Sequence, residues 1–304
     1  ETLPAMLMRL LRRFVALLFT AVLLGIAAVA LLYSYFAPQL PDALALRDVQ
    51  LQTPMQVFSA NGELIGQFGE QRRVPLRLDE MPEMLIKAFL ATEDARFYEH
   101  PGIDPIGVAR ALVAVVTSGE KTQGASTITM QVARNFFLGR EKTYIRKIKE
   151  IFLSWHIEQA LSKDEILTLY LNKIPLGHRA FGVGAAAEVY YGKNVRDLSL
   201  AEIAVIAGLP KAPSALNPIN NPKRARSRQL YIIERMEENG FITAKQALEA
   251  KAEPLKIRHS QDKNRIHAEY VAETVRQLMF AQYGQETYTR GLNVYTTLQS
   301  SEQT

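Results

Sequence analysis

From Phe14 to Phe36 the chain carries no charged residue, and that run limits what the rest can be. Taken as a helix, FVALLFTAVLLGIAAVALLYSYF spans roughly 34 Å, enough to cross a bilayer core. Arg9, Arg12 and Arg13 precede it, and Tyr33, Tyr35 and Phe36 close it as an interfacial aromatic cluster. The expectation is a retained anchor, with the N-terminus in the cytoplasm and everything after Pro38 outside. A cleaved signal peptide is the alternative, since Ala28-Val29-Ala30 has the small-x-small form. The run is long for that and remains in the chain.

A chain of 304 residues has room for one large or two modest domains, and 48% hydrophobic content supplies a core. The net charge of +5 suits an anionic membrane surface or a phosphate-bearing substrate as well as nucleic acid. With no cysteine, a disulfide framework and a thiolate metal site are excluded. Residues 1–13 read as a basic tail, 14–36 as the membrane span, and 37–80 as a linker with a β-hairpin. The hairpin is MQVFSANGELIGQF, where Asn61-Gly62 between apolar runs predicts a type I′ turn. Residues 81–250 read as a mainly α domain. Ser126 and Thr129 open one helix; Ser162 with Glu165 and Ser199 with Glu202 predict capping boxes. Asn221-Pro222 starts a basic helix that Asn239-Gly240 ends. Residues 251–304 hold one helix and one strand, the expected start of a further region.

ATEDARFYEHPG places acids where burial is expected. By fours, Leu85, Phe89, Glu93 and Phe97 share a stripe. An acid there loses solvation, which raises its pKa and suits it to proton transfer. Alternatively Glu93 escapes to solvent, or pairs with Arg96 or His100. In QGASTITMQVARNFF the helix start offers free N–H groups beside hydroxyls, an anion site. Thr127, Gln131 and Asn135 form a polar row flanked by Arg134, which fits a sugar and phosphate or a solvated surface. In RKIKE, Glu150 follows Arg146 and Lys147 on one face. That is either a surface ion-pair helix, in the weaker orientation, or a grip on pyrophosphate. Lys163 in a first helical turn opposes the helix dipole unless an anion lies near.

Two patterns are set aside. Ser118 to Lys121 has the S-x-x-K form and Ser59 to Asn61 the S-x-N form, but in the wrong order and with no K-[ST]-G following. The run KRARSR, Lys223 to Arg228, reads as a solvated helix start near acidic lipid headgroups, and no nucleic-acid partner is expected.

Together these segments resemble the family 51 glycosyltransferases, the bacterial peptidoglycan polymerases. The likeness runs from about Leu78 to Thr243 through EDARFYEHPG, GASTITMQ, RKIKE, KDEILTLYLN and GHRAFGVGAAAEVYYGK, with Met130 where many members carry Gln. With the anchor, the hairpin and the tail, the chain is similar to the N-terminal part of a class A penicillin-binding protein, of the 1A type. No transpeptidase activity is expected of it.

The resemblance implies a lysozyme-like, mostly α glycosyltransferase domain with a membrane-proximal lobe. It implies that Glu93 is the general base for the 4-hydroxyl of lipid II, which attacks the lipid-linked glycan chain with inversion. Glu150 helps position the departing undecaprenyl pyrophosphate, directly or through a divalent cation (Mg or Mn). Arg134, Arg146, Lys147 and Lys163 neutralise that group. Ser126, Thr127, Gln131 and Asn135 bind sugars or phosphates, with Phe97 beside them, and His100 and Asp94 brace the first motif. Implied partners are lipid II, the lipid-linked glycan, membrane lipids, and other cell-wall proteins and activators. The implied location is the inner membrane, with catalysis in the periplasm. The rivals are a lysozyme-like or lytic enzyme that cuts glycan, and a catalytically silent membrane scaffold.

Overall fold

The computed structural model describes residues 3–49, 51–69, 71–118, 126–139, 143–257 and 268–299. Eleven α-helices and three short strands make up the described part. Helix α1 (Leu3–Phe36) runs unbroken through the basic tail and the apolar run. Residues 11–39 form the one described helix long and apolar enough to cross a membrane. From Leu11 onward its side chains are exposed almost throughout, until Phe36 turns into the body.

The hairpin forms from β1 (Met55–Phe58) and β2 (Leu64–Phe68), antiparallel. Its turn is not type I′. The Gly62 amide donates to Ser59 O, and among these residues only Gly62 has positive φ. The loop is one residue too long for a two-residue turn. Ser59 Oγ uses the slack, accepting from the Glu63 amide and donating to Asn61 Oδ1. A third strand, β3 (Asn293–Tyr295), lies parallel to β1 and makes it the middle strand. Helix α11 (Glu269–Tyr283) covers the sheet, with Ala272 where a side chain on Gly66 would otherwise sit. The sheet and α11 bury Met55, Val57 and Ile65 in a small core of their own.

The main core lies among α2 (Glu83–Glu93), α4 (Ile128–Phe137), α5 (Tyr144–Ala160) and α6 (Lys163–Lys173), with α7 (Val183–Tyr191), α8 (Leu200–Gly208), α9 (Pro222–Glu238) and α10 (Ala244–Ala252) behind them. Helix α3 (Pro105–Ser118) stands apart from this core, with Ile106, Val108 and Val113 exposed. Helix α8, LAEIAVIAG, is apolar all round because α2 and α9 cover it on different sides.

The capping boxes at Ser162 and Ser199 form as the sequence predicts, and Asn221 and Asn239 bound α9. At α4 the cap is Thr127, one residue after Ser126. Helix α2 stops at Glu93, so Phe97 does not continue its stripe. The chain breaks at Asp94 and folds Phe97 back into the core, fully buried. The segment GHRAFGVG makes the reversal between α6 and α7. There Gly182 has φ +84°, and a Cβ on it would stand 2.7 Å from the Asn172 carbonyl oxygen.

Candidate active site

Glu93 ends α2 and faces α4 and α9. It is half-buried, and its Oε2 accepts a 2.9 Å hydrogen bond from the Gln131 side-chain amide. Burial raises its pKa, and nearby Asp94 adds to the rise. The Gln131 hydrogen bond and the positive charges of Arg228 and Arg134 oppose it. The result is an acid whose proton affinity lies above the ordinary carboxylate range, with cations close by.

The residues after Glu93 form a brace. Asp94 is buried, with Oδ1 2.9 Å from His100 Nε2. Its Oδ2 accepts from the Ile128 amide at 3.0 Å, the first of α4. The anion place expected at that helix start is therefore partly taken by the protein's own carboxylate, as the partial positive charge there favours. The Met130 amide donates to Thr127 Oγ1, and the Thr127 hydroxyl donates to Gly102 O. Thr127 is thus buried as a cap and a tie to the first motif.

Lys163 is engaged in the same way. Its ammonium donates to His100 O at 2.6 Å and to Glu158 Oε1 at 2.8 Å, and it lies 4.3 Å from the Phe97 ring centre. The same Glu158 oxygen accepts from Thr129 Oγ1. These contacts answer the dipole cost expected of a lysine at that position. They tie Lys163 and Phe97 to the first motif. Glu158 itself, on a polar face of α5, carried no signal beyond its charge.

On α5, Glu150 is only 2% exposed. Its Oε1 lies 3.0 Å from Arg146 Nε and its Oε2 3.0 Å from Lys147 Nζ. The Lys147 ammonium also donates to Ser126 Oγ at 2.9 Å and touches Met130 Sδ at 3.8 Å. RKIKE thus forms an ion-pair cluster whose carboxylate is buried and whose lysine reaches the surface. Because Gln131 meets Glu93 and Met130 meets Lys147, α4 contacts both groups. Arg134 and Asn135 lie half-buried one turn further along. Residues 119–125 and 140–142, including Gln123, Gly124 and Ala125 of the second motif, lie outside the described residues.

Both Glu150 oxygens already face cations, and no cluster of three or more His, Asp or Glu suited to a metal occurs among the described residues.

The basic run was read as a solvated helix start, and for Arg228 that is corrected. Nearly two turns into α9 it points inward, 4.6 Å from the Tyr231 ring, and its charge reaches Glu93. Burial lowers its pKa, which the Glu93 carboxylate partly offsets. Lys211, Lys223, Arg224 and Tyr231 continue from Arg228 along an open cleft.

This arrangement sets a half-buried acid of raised proton affinity beside two arginines, Arg134 and Arg228. A family model described as transglycosylase matches residues 61–237. The chain belongs to the transglycosylase family. Transglycosylase relatives include penicillin-binding protein 1A of Vibrio cholerae, 54% identical over 97% of this chain and 36% of that protein. Penicillin-binding protein 1A of Escherichia coli is 52% identical over 96% of this chain and 34% of that one. The chain thus spans about a third of the length of these curated relatives. A crystal structure of penicillin-binding protein 1A from Haemophilus influenzae superposes with TM-score 0.48 at 34% identity, over 84% of this chain and 28% of that one. The transglycosylase match begins inside the hairpin at Asn61, earlier than the 81–250 domain expected from periodicity, and ends with α9.

Proposed function

We propose that this chain polymerises lipid II into glycan strands as a peptidoglycan glycosyltransferase. The observation that carries the reading is Glu93, an acid of raised proton affinity held by Gln131 beside Arg134 and Arg228. The carboxylate takes the proton from the 4-hydroxyl of the acceptor sugar as that oxygen attacks the anomeric carbon of the lipid-linked glycan. The configuration inverts, and undecaprenyl pyrophosphate leaves. A base with proton affinity closer to neutral transfers protons more effectively than an ordinary carboxylate.

Negative charge grows on the departing pyrophosphate, and pre-placed cations lower the barrier most when they cost no reorganisation at that moment. Arg134 and Arg228 sit near Glu93, while Arg146 and Lys147 are held on Glu150. In this scheme Glu150 orients those two side chains, and Ser126 and Asn135 bind sugar or phosphate oxygens. Asp94, His100, Phe97, Thr127 and Lys163 act through the shape of the first motif. No step is routed through a metal.

A glycan-cutting enzyme also needs an acid like Glu93, but it has no use for arginines around a leaving pyrophosphate. The exposed apolar side chains of α3 and of Tyr144 and Ile145 at the start of α5 fit a lobe that rests on the bilayer. Both substrates carry polyprenyl tails there. With Arg9, Arg12 and Arg13 ahead of the span, the catalytic body lies outside the cytoplasmic membrane. Incubation with lipid II tests the scheme. Wild type yields glycan polymer, and Glu93→Gln yields none while its circular dichroism is unchanged. Normal polymerisation by Glu93→Gln defeats the assignment, and degradation of finished glycan points to the lytic enzyme.

A further inference from the structure

Tyr170, in the middle of α6, is fully buried, and its hydroxyl has no hydrogen-bond partner among the described residues. A buried donor left unpaired is unfavourable, and phenylalanine would fill the same space without that defect. Its ring packs edge-on against Phe89, one turn before Glu93 on α2, with centres 6.1 Å apart. The charged groups around the hydroxyl are Glu93 and Asp94 from α2 and its end, and Arg134 from α4; Arg228 from α9 reaches the same carboxylate. Burial, then the Glu93 charge, holds the phenol well above its ordinary pKa. It stays protonated and acts as a donor.

Of two donors in this neighbourhood, only Gln131 is bonded to the acid. Gln131, which binds Glu93 Oε2, belongs to the α4 row that continues to half-buried Asn135. Tyr170 belongs to the closed core. A sugar hydroxyl entering the groove competes with Glu93 for the Gln131 amide, and the carboxylate then needs a replacement donor in a site with little water. We propose that Tyr170 is a positioning residue for the base, its hydroxyl donating to the Glu93 carboxylate in the substrate complex when Gln131 turns to the sugar. This rests on Glu93 being the base of the proposed reaction.

The test is the pH dependence of lipid II polymerisation by the whole chain, wild type against Tyr170→Phe. A hydrogen bond to a carboxylate favours its charged form, so its loss moves the acidic limb of kcat to higher pH, by about one unit. Below the limb that is about a tenfold loss, with KM changed by less than about twofold. The melting temperature does not fall, because the deleted hydroxyl is unpaired in the resting structure. Site-specific 3-fluorotyrosine at position 170, a stronger donor, moves the limb to lower pH. A Tyr170→Phe profile that superimposes on wild type overturns the inference. If Tyr170→Phe does not fold, an unmoved limb in the fluorotyrosine protein overturns it. Glu93→Gln separates the two claims: if it polymerises, the base assignment fails first. If it is silent while Tyr170→Phe keeps the wild-type limb, only the role of Tyr170 falls.

Discussion

At Glu93 burial and chemistry pull in opposite directions, and the conflict is measurable in stability. Burial raises the folded-state pKa above the ordinary value near 4.5. The native state therefore binds the proton more tightly than the unfolded chain, and stability falls as pH rises through the window between the two values. Below the unfolded value the carboxyl is neutral in both states and costs nothing. Above the raised value the full penalty is present. Glu93→Gln keeps the hydrogen bond with Gln131 and removes the charge. Its melting temperature is expected to exceed wild type at pH 8 and to converge on it at pH 4. A gain that is equal at both pH values would mean the carboxylate is well hydrated. The sequence showed this acid because Leu85 and Phe89 precede it at helical spacing on one buried stripe. It could not show Arg228, since a cation in a run of cations looks the same whether it turns to solvent or to the groove. Nor could it show that Thr127 and Lys163 are occupied, because Gly102 and Glu158 reach them only through the tertiary fold.

Individual helices are placed by ties that the sequence hides to different degrees. Caps were readable because a Ser with Glu three residues on satisfies the helix's own amides locally. The tie between α6 and the segment before α2 was not. Asn172, 4% exposed, accepts from the Leu76 amide and donates to the carbonyls of Leu76 and Thr168. Replacing it with Ala leaves buried backbone groups unpaired, so a loss of about 2–4 kcal/mol is expected in denaturant unfolding. A loss under about 0.5 kcal/mol would mean water or another side chain takes over those groups. Helix α5 carries a second tie. Tyr33 on α1 meets Phe152, Trp155 and His156 edge-on, and its hydroxyl lies 2.8 Å from His156 Nε2. The helix that holds Arg146, Lys147 and Glu150 is thereby fastened to the end of the apolar helix. Tyr33→Ala should lower the rate of glycan synthesis in proteoliposomes with little change in the secondary structure of the body. An unaltered rate would show that α5 keeps its position without the anchor.

On the scale of the molecule the described residues form two hydrophobic cores, a large helical one and the small one beneath the sheet. Periodicity gave most of the helical body, since helices such as α2, α5 and α9 bury one face, while α7 and α8 are buried nearly all round. It also gave the late helix and strand, but not their partner, because parallel pairing across such a distance leaves no local pattern. Removing residues 258–304 should therefore leave the helical body folded while uncovering Met55, Val57 and Ile65. Increased binding of a hydrophobic dye with retained helicity would show this, whereas a wholly unfolded product would mean the cores depend on each other. The membrane-facing surface is testable too. Ile106→Glu with Val113→Glu should weaken binding of the body to anionic vesicles, and unchanged binding would remove α3 from the contact.

The middle position of β1 has a consequence for biosynthesis. Val57 pairs with Val294, and Phe58 stacks on Tyr295 at 5.1 Å. A ribosome working at about 5–20 residues per second delivers the second half of that pairing on the order of ten seconds or more after the first. During that interval one border of the nascent hairpin is open to any passing strand, a hazard that chaperones would be expected to cover.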